Sequence, residues 1–90
     1  MRFEWDPGKA AENLAEHGVS FEEAATVFRD ALSATGSDPD HSVDEERFIT
    51  FGLSTAGRLL VVAHTDRDDT IRIISARPVT PREREIYEEG

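Results

Sequence analysis

The sequence predicts an α+β domain in which two N-terminal helices pack on an antiparallel sheet of four to five strands and a short helix closes the chain. Three observations predict it. Two helix-start signals stand near the N-terminus, Asp6-Pro7 and the capping box Ser20-Phe-Glu-Glu23. Three β-rich runs at 46–53, 58–65 and 70–76 are separated by short polar turns, and turns that short join antiparallel neighbours. At 90 residues, the chain 1–90 is expected to make a single domain.

The elements follow in chain order. Residues 1–5 alternate apolar and polar side chains, so Phe3 and Trp5 share one face of a short strand. Asp6 is a favourable N-cap, Pro7 suits the first helical position, and Gly18 supplies a left-handed stop. The apolar stripe of this helix is narrow: Ala10, Ala11 and Leu14. His17, just before the stop, has a capping role, because a protonated imidazole interacts well with a helix C-terminus. The second helix presents Phe21, Ala24, Ala25 and Phe28 at i, i+3, i+4 and i+7, wide enough to bury against a sheet, and stops near Arg29 or Asp30. Ala31 to Thr35 forms a candidate short strand, and 36–42 is a turn-rich loop. The run 58–65 is nearly continuously apolar, which places it at the centre of the sheet. Thr80-Pro81-Arg82-Glu83 is another capping box. The last helix has Ile86 and Tyr87 as its large apolar groups, so it docks weakly or docks on another chain.

Composition narrows the function. With no cysteine, the chain has no disulfide framework, no thiolate nucleophile and no zinc site built on sulfur. Charges at Arg2, Glu4 and Asp6 leave no room for a secretory signal, and no apolar run approaches the length of a membrane span. A cytoplasmic protein with no membrane partner is expected. The net charge of −9 argues against nucleic-acid binding by bulk charge. The total conceals an asymmetry, however. Residues 1–46 carry 12 acids and 3 bases, whereas 47–90 carry 7 of each. Nine of the ten basic residues are arginine, whose planar fork grips phosphate or carboxylate bidentately. An arginine-rich half in an acidic chain points to a site or an interface, with compositional bias as the plain alternative.

Strand periodicity sorts the candidates by face. Arg47 goes with Ile49, Phe51 and Leu53; Arg58 with Leu60, Val62 and His64; Arg72 with Thr70, Ile74 and Ala76. If the register brings Arg47, His64 and Arg72 together, they form a cationic cleft around one imidazole. Such a cleft suits metal-free RNA cleavage, which needs a base for the 2′-hydroxyl, fixed charge for the phosphorane and an acid for the leaving 5′-oxygen. The competing reading is structural: a histidine near a strand end satisfied by its neighbours, and arginines paired with carboxylates. Glu46 is a further candidate base, although its strand parity is opposite to Arg47.

Other motifs fail. Asp38-Pro-Asp-His41-Ser-Val-Asp44-Glu45-Glu46, read as a calcium loop, has Val43 where glycine is needed and Ile49 where the closing glutamate belongs. Gly52-Leu-Ser54-Thr-Ala-Gly57 is one residue too long for a nucleophile elbow and precedes a strand. No dinucleotide fingerprint or phosphate loop is present. No metal and no cofactor are expected.

Taken in order, the residues resemble the BrnT toxin family. Asp6-Pro7-x-Lys9-Ala10, Asn13 and His17-Gly-Val-Ser-Phe-Glu-Glu-Ala24 with Val27-Phe28 match its opening. Asp38-Pro-Asp-His41, Glu46-Arg-Phe-Ile49, Gly52-x-Ser54, Gly57-Arg58, His64-Thr65-x-Arg67, Ile71-Arg-Ile-Ile-Ser-Ala-Arg77, Arg82-Glu83-Arg84 and Tyr87 continue the match. Pro78 and Pro81 depart from it, standing where members often carry lysine and arginine.

The resemblance implies a RelE-like ribonuclease fold and an endoribonuclease toxin of a type II toxin–antitoxin system. It also implies a BrnA-like ribbon-helix-helix antitoxin in a 2:2 heterotetramer that reaches DNA through the antitoxin. Within the matched motifs, His64, Arg47, Arg72 and Arg77 are the catalytic candidates, and Arg58, Arg67 and Arg82 the RNA contacts. Ile86 and Tyr87 are the antitoxin contacts. The alternative is a non-catalytic toxin-like module that binds the antitoxin and acts in operon autorepression.

Overall fold

The computed structural model describes residues 1–38 and 46–89. Most of the loop expected at 36–42, and the oxygen-ligand cluster between Asp38 and Glu46, lie outside the described residues. In chain order the elements are β1 (Arg2–Glu4), α1 (Pro7–His17), α2 (Phe21–Thr26) with a 3-10 turn (Val27–Arg29), β2 (Ala34–Ser37), β3 (Arg47–Leu53), β4 (Leu59–Arg67), β5 (Thr70–Pro78) and α3 (Pro81–Glu89).

The helix ends form where local chemistry places them. The Asp6 carboxylate accepts from the Lys9 N–H at 2.9 Å, with Pro7 at N1, and Gly18 closes α1 at φ 68°. Ser20 Oγ accepts from the Glu23 N–H at 3.0 Å. At α3 the capping box is reciprocal: Thr80 N–H donates to Glu83 Oε1 at 2.8 Å and Glu83 N–H to Thr80 Oγ1 at 3.1 Å. The helix α1 departs from its expected stripe, since Leu14 is 53% exposed and Asn13 is the buried residue. The Asn13 amide donates to Val19 O and Ala76 O and accepts from Ala76 N–H. It stands where a neighbouring strand would pair with β5 beyond the end of short β1, so an amide latch docks α1 in place of an apolar stripe.

The sheet order is β1-β5-β4-β3-β2. The strands β2 to β5 are antiparallel, but β1 runs parallel to β5, pairing Arg2 with Thr70 and Glu4 with Arg72. This corrects the expectation of a wholly antiparallel sheet. No hairpin joins β1 to β5, so turn geometry does not set its direction. Burial of Phe3 beside Phe28 (ring centroids 5.5 Å) and of Trp5 beside Phe21 (5.9 Å) holds it instead. The central strand is β4, with Leu59, Leu60, Val61, Val62, His64 and Thr65 all buried.

The core lies on one face of the sheet. Val19, Phe21, Ala24 and Val27 pack there on Leu60, Val62, Ile71, Ile73 and Ala76. Gly52 sits opposite Leu60 on this face, and an added Cβ would stand 2.6 Å from Val27 Cγ1, so the 3-10 turn can approach the strand this closely only over glycine.

One irregularity decides what the opposite face carries. Ala63 pairs with Ser75 but His64 pairs with Ile73, leaving Ile74 as an extra residue in β5. Such a bulge inverts strand parity. Ile71 and Ile73 face the core before it and Ala76 after it. Arg72, Ser75 and Arg77 consequently share the other face, although Arg72 and Arg77 are an odd number of residues apart. The expected grouping of Arg72 with Ala76 is corrected for the same reason.

Candidate functional site

The open face of the sheet is built in rows, since paired residues point to the same side. One row runs Glu4, Arg72, Thr65, Arg47 across β1, β5, β4 and β3. Two strand spacings put the backbones of Arg72 and Arg47 about 10 Å apart, on either side of buried Thr65. The next row toward the β4–β5 turn holds Arg2, Thr70 and Arg67. In the other direction a row of Ser75, Ala63, Ile49 and Gly36, small except at Ile49, leads to Arg77, Val61, Phe51 and Ala34. Arg2, Arg47, Arg67, Arg72 and Arg77 therefore share a face, while Glu12, Glu16, Glu22 and Glu23 ride on the helices α1 and α2 behind the sheet. The charge asymmetry of the sequence becomes a spatial one. Glu4, Thr65, Arg67, Thr70 and Arg72 line a concavity of about 190 Å³ on this face.

His64 is not there. The expected cleft around an imidazole is corrected: His64 follows Leu60 and Val62 into the covered face and is 1% exposed. Its ring lies 4.9 Å from the Phe28 ring and 5.9 Å from the Phe48 ring. Nδ1 stands 2.6 Å from Asp66 Oδ1, and Nε2 stands 2.7 Å from Thr50 Oγ1. A carboxylate can only accept, so Nδ1 carries a proton. Nε2 and the Thr50 hydroxyl share the second bond, and Thr35 Oγ1 lies 2.7 Å beyond Thr50 Oγ1. Both nitrogens are engaged and the sheet separates the ring from Arg47 and Arg72.

Arg58 is also on the covered side. Its Nε donates to Glu23 Oε2 at 2.9 Å and its Nη2 to Gly18 O at 2.9 Å, tying the end of α1 to α2. Ser54 donates to the same carboxylate at 2.7 Å. The Arg58 hydrogen bond first, and Ser54 after it, hold the Glu23 carboxyl below its usual range against the opposing effect of burial. Glu23 thus serves Arg58 in place of the back-bond its capping box suggests. The Arg58 guanidinium is thus held as a strut between α1 and α2, on the side of the sheet away from Arg47 and Arg72.

Arg77 is on the open face but engaged by α3. It donates through both terminal nitrogens to Glu83, at 2.8 and 2.9 Å. That fork, with the Thr80 N–H, pulls the Glu83 carboxyl from 4.5 to about 2. At the other end of α3, Tyr87 OH donates to Asp30 Oδ2 at 3.0 Å. The Asp30 carboxylate also accepts from the Leu53 and Leu32 N–H groups, and these bonds keep its carboxyl low. Burial, then the bond to Asp30, raises the Tyr87 hydroxyl. Under α3 is a cavity of about 280 Å³ lined by Leu32, Ala34, Phe51, Glu83, Ile86 and Tyr87. Ile86 and Tyr87 therefore line an apolar hollow beside the arginine rows, and Arg82 is exposed at the first turn of α3.

The face can bind an anion between arginines and offers hydroxyls beside it. Among the described residues, no cluster of three or more His, Asp or Glu is placed to hold a metal ion, and no helix is long and apolar enough to cross a membrane. Two members of the site escaped the sequence reading. Thr65 appeared only within the motif His64-Thr65-x-Arg67, and the strand register reveals its place between Arg47 and Arg72. Glu4 looked like the polar half of an alternating strand, and only the parallel pairing reveals its neighbour.

Comparison with known proteins bears on the family and the fold. A family model described as ribonuclease toxin, BrnT, of type II toxin–antitoxin system matches residues 5–83. The fold is similar to the crystal structure of the ribonuclease toxin BrnT of Brucella abortus, with a TM-score of 0.64 and 19% sequence identity over 89% of this chain and 97% of that one. None of the curated proteins matches the sequence.

Proposed function

The chain belongs to the BrnT family of ribonuclease toxins of type II toxin–antitoxin systems, and we propose that it cleaves RNA on the open face of its sheet without a metal ion. The observation that carries this reading is the row Arg72–Thr65–Arg47, with Arg67 one row away. Two guanidiniums flanking one position can take the two non-bridging oxygens of a phosphodiester from opposite sides and stay in place as charge builds on the phosphorane. The small side chains of Ser75, Ala63 and Gly36, with the apolar Ile49 among them, form the floor on which the strand continues toward α3. A surface dominated by guanidiniums repels a divalent cation, which favours fixed positive charge as the electrophile.

Membership of a type II family implies an antitoxin. A ribbon-helix-helix antitoxin with a basic segment, in a 2:2 assembly, suits the chain's net charge of −9 and the hollow lined by Ile86 and Tyr87. A second reading, a binding module without catalysis, draws support from the carboxylates that already meet two of the arginines, Glu4 at Arg72 and Glu83 at Arg77.

The test is cleavage of a mixed RNA pool by antitoxin-free protein in EDTA. Wild type and the control Arg29→Ala, on the covered side, should cleave alike. Arg72→Ala and Arg47→Ala, with unchanged thermal melts, should lose roughly 100-fold or more, the usual consequence of removing one charge that stabilises a transition state. Folded wild type that leaves RNA intact, both free and in translating ribosomes, sinks the enzyme and leaves the module.

A further inference from the structure

The open face holds arginines for the phosphate, yet RNA cleavage also needs a group that takes a proton, and the histidine expected to do so is sealed behind the sheet. The carboxylates narrow quickly. Asp66 bonds His64 on the covered side. Glu83 is held in the fork of Arg77, and Glu23 in that of Arg58. Glu46 precedes β3 and lies outside the concavity. Glu4 is different: it lines the concavity together with Arg67, Arg72, Thr65 and Thr70.

Its placement is well determined. Phe3 and Trp5, on either side of it in the chain, are anchored by Phe28 and Phe21. Strand alternation then turns Glu4 to the open face, opposite Arg72 in the β1–β5 register. Its Oε1 lies 3.7 Å from Arg72 Nη1, and the two side chains are 55% and 49% exposed. At that distance and exposure the pair adds little to stability. A carboxylate in an anion site also opposes anion binding. Its presence beside the arginines makes chemical sense where a proton must leave the substrate. The volume is below the roughly 300–1,000 Å³ of small-molecule pockets, and suits one phosphate with its ribose while the strand continues over the sheet.

We propose that Glu4 is the general base of the cleavage reaction, taking the proton of the ribose 2′-hydroxyl beside the phosphate held by Arg72 and Arg67. This rests on the ribonuclease reading above. The 2′-oxygen forms a bond to phosphorus as the proton passes to the carboxylate. The bond from phosphorus to the 5′-oxygen of the next nucleotide breaks, and that oxygen takes a proton from water. The products are a 2′,3′-cyclic phosphate and a 5′-hydroxyl. Glu4 then returns its proton to the hydroxide left behind, so nothing is consumed.

The experiment compares wild type, Glu4→Gln, Glu4→Asp and Arg72→Ala in single-turnover cleavage. Binding is measured separately with a 2′-O-methyl RNA that cannot react. Glu4→Gln should lose 100-fold or more in rate, within the range for a general base, while binding the inert RNA as tightly as wild type or tighter. Glu4→Asp should recover part of the rate, and wild-type products should end in cyclic phosphate. Glu4→Gln cleaving within threefold of wild type, while Arg72→Ala is inactive, overturns the proposal and leaves the ribonuclease reading standing. Weaker binding by Glu4→Gln in proportion to its lost rate also overturns it, because Glu4 then only holds Arg72 in place. Inactive wild type fails both.

Discussion

On the covered face of the sheet, His64 is buried and spends both ring nitrogens on hydrogen bonds. On the open face, Arg72 is half exposed and meets Glu4 at 3.7 Å. Both are polar residues on neighbouring strands, and their environments make them opposites. Behind the sheet, no buried side-chain nitrogen or oxygen among the described residues lacks a partner. There, polar groups are structural, since an unmet one in a low dielectric is costly. In front, α3 has no buried residue and stays through two polar contacts. The difference teaches that residue type alone does not mark a site here. What marks it is a cationic group whose surroundings leave it able to exchange its partner for a substrate.

The largest test breaks the covered face. Phe21 is fully buried between Trp5 and the strands. Phe21→Ala should lower unfolding free energy by about 3–5 kcal/mol. A domain of this size loses roughly 4–8 °C of melting temperature per kcal/mol, so urea and thermal melts should show it near the limit of folding. A loss below about 1 kcal/mol would mean the helices contribute little to holding this face.

His64→Ala comes next and sharpens the comparison most. It opens a cavity between Phe28 and Phe48 and leaves Thr50 and Asp66 without their partner, an expected loss of about 2–4 kcal/mol in a urea titration. Cleavage per folded molecule, measured well below the melting temperature, should stay within a few-fold of wild type. A folded His64→Ala protein with no activity would join the two faces functionally and end the division drawn between them.

This division was partly legible in the sequence. Asp6, Ser20 and Thr80 announced their helices because capping is local chemistry. The apolar run of β4 announced the central strand. His64 even carried its own signal, since alternation placed it with Leu60 and Val62, which are core residues. Its association with Arg47 and Arg72 required a register between strands, and periodicity within a strand does not contain one. The bulge at Ile74 was equally hidden. It depends on how β5 meets β4, and without it Arg72 and Arg77 would face opposite ways. The parallel docking of β1 was silent because three residues without a turn carry no direction, and Glu4 was silent with it.

The smallest effect concerns α3, which has no buried residue and meets the open face through two polar contacts beside an apolar hollow. Glu83 has its carboxyl pulled from 4.5 to about 2 by Arg77 and the Thr80 N–H. A lowered carboxyl contributes stability that is fully present above 4.5 and is lost as pH falls toward 2. Asp30, lowered by the Leu53 and Leu32 N–H groups, loosens its hold on Tyr87 in the same direction. Glu23 weakens with acid on the covered face as well, so a global melt mixes the two regions and a local probe is needed. Protection of the amides along Pro81–Glu89, taken relative to their intrinsic exchange rates at each pH, should fall between pH 4.5 and 2 while the amides of β4 remain protected. Glu83→Gln should reproduce that loosening at neutral pH. Its effect on global stability should be about 1 kcal/mol or less, because the pair is partly solvated. The same variant releases the fork of Arg77, so its affinity for inert RNA should rise. Unchanged exchange in α3 would show that the apolar contacts of Ile86 and Tyr87 over Phe51 suffice, and that the front of the sheet is held in the same way as the back.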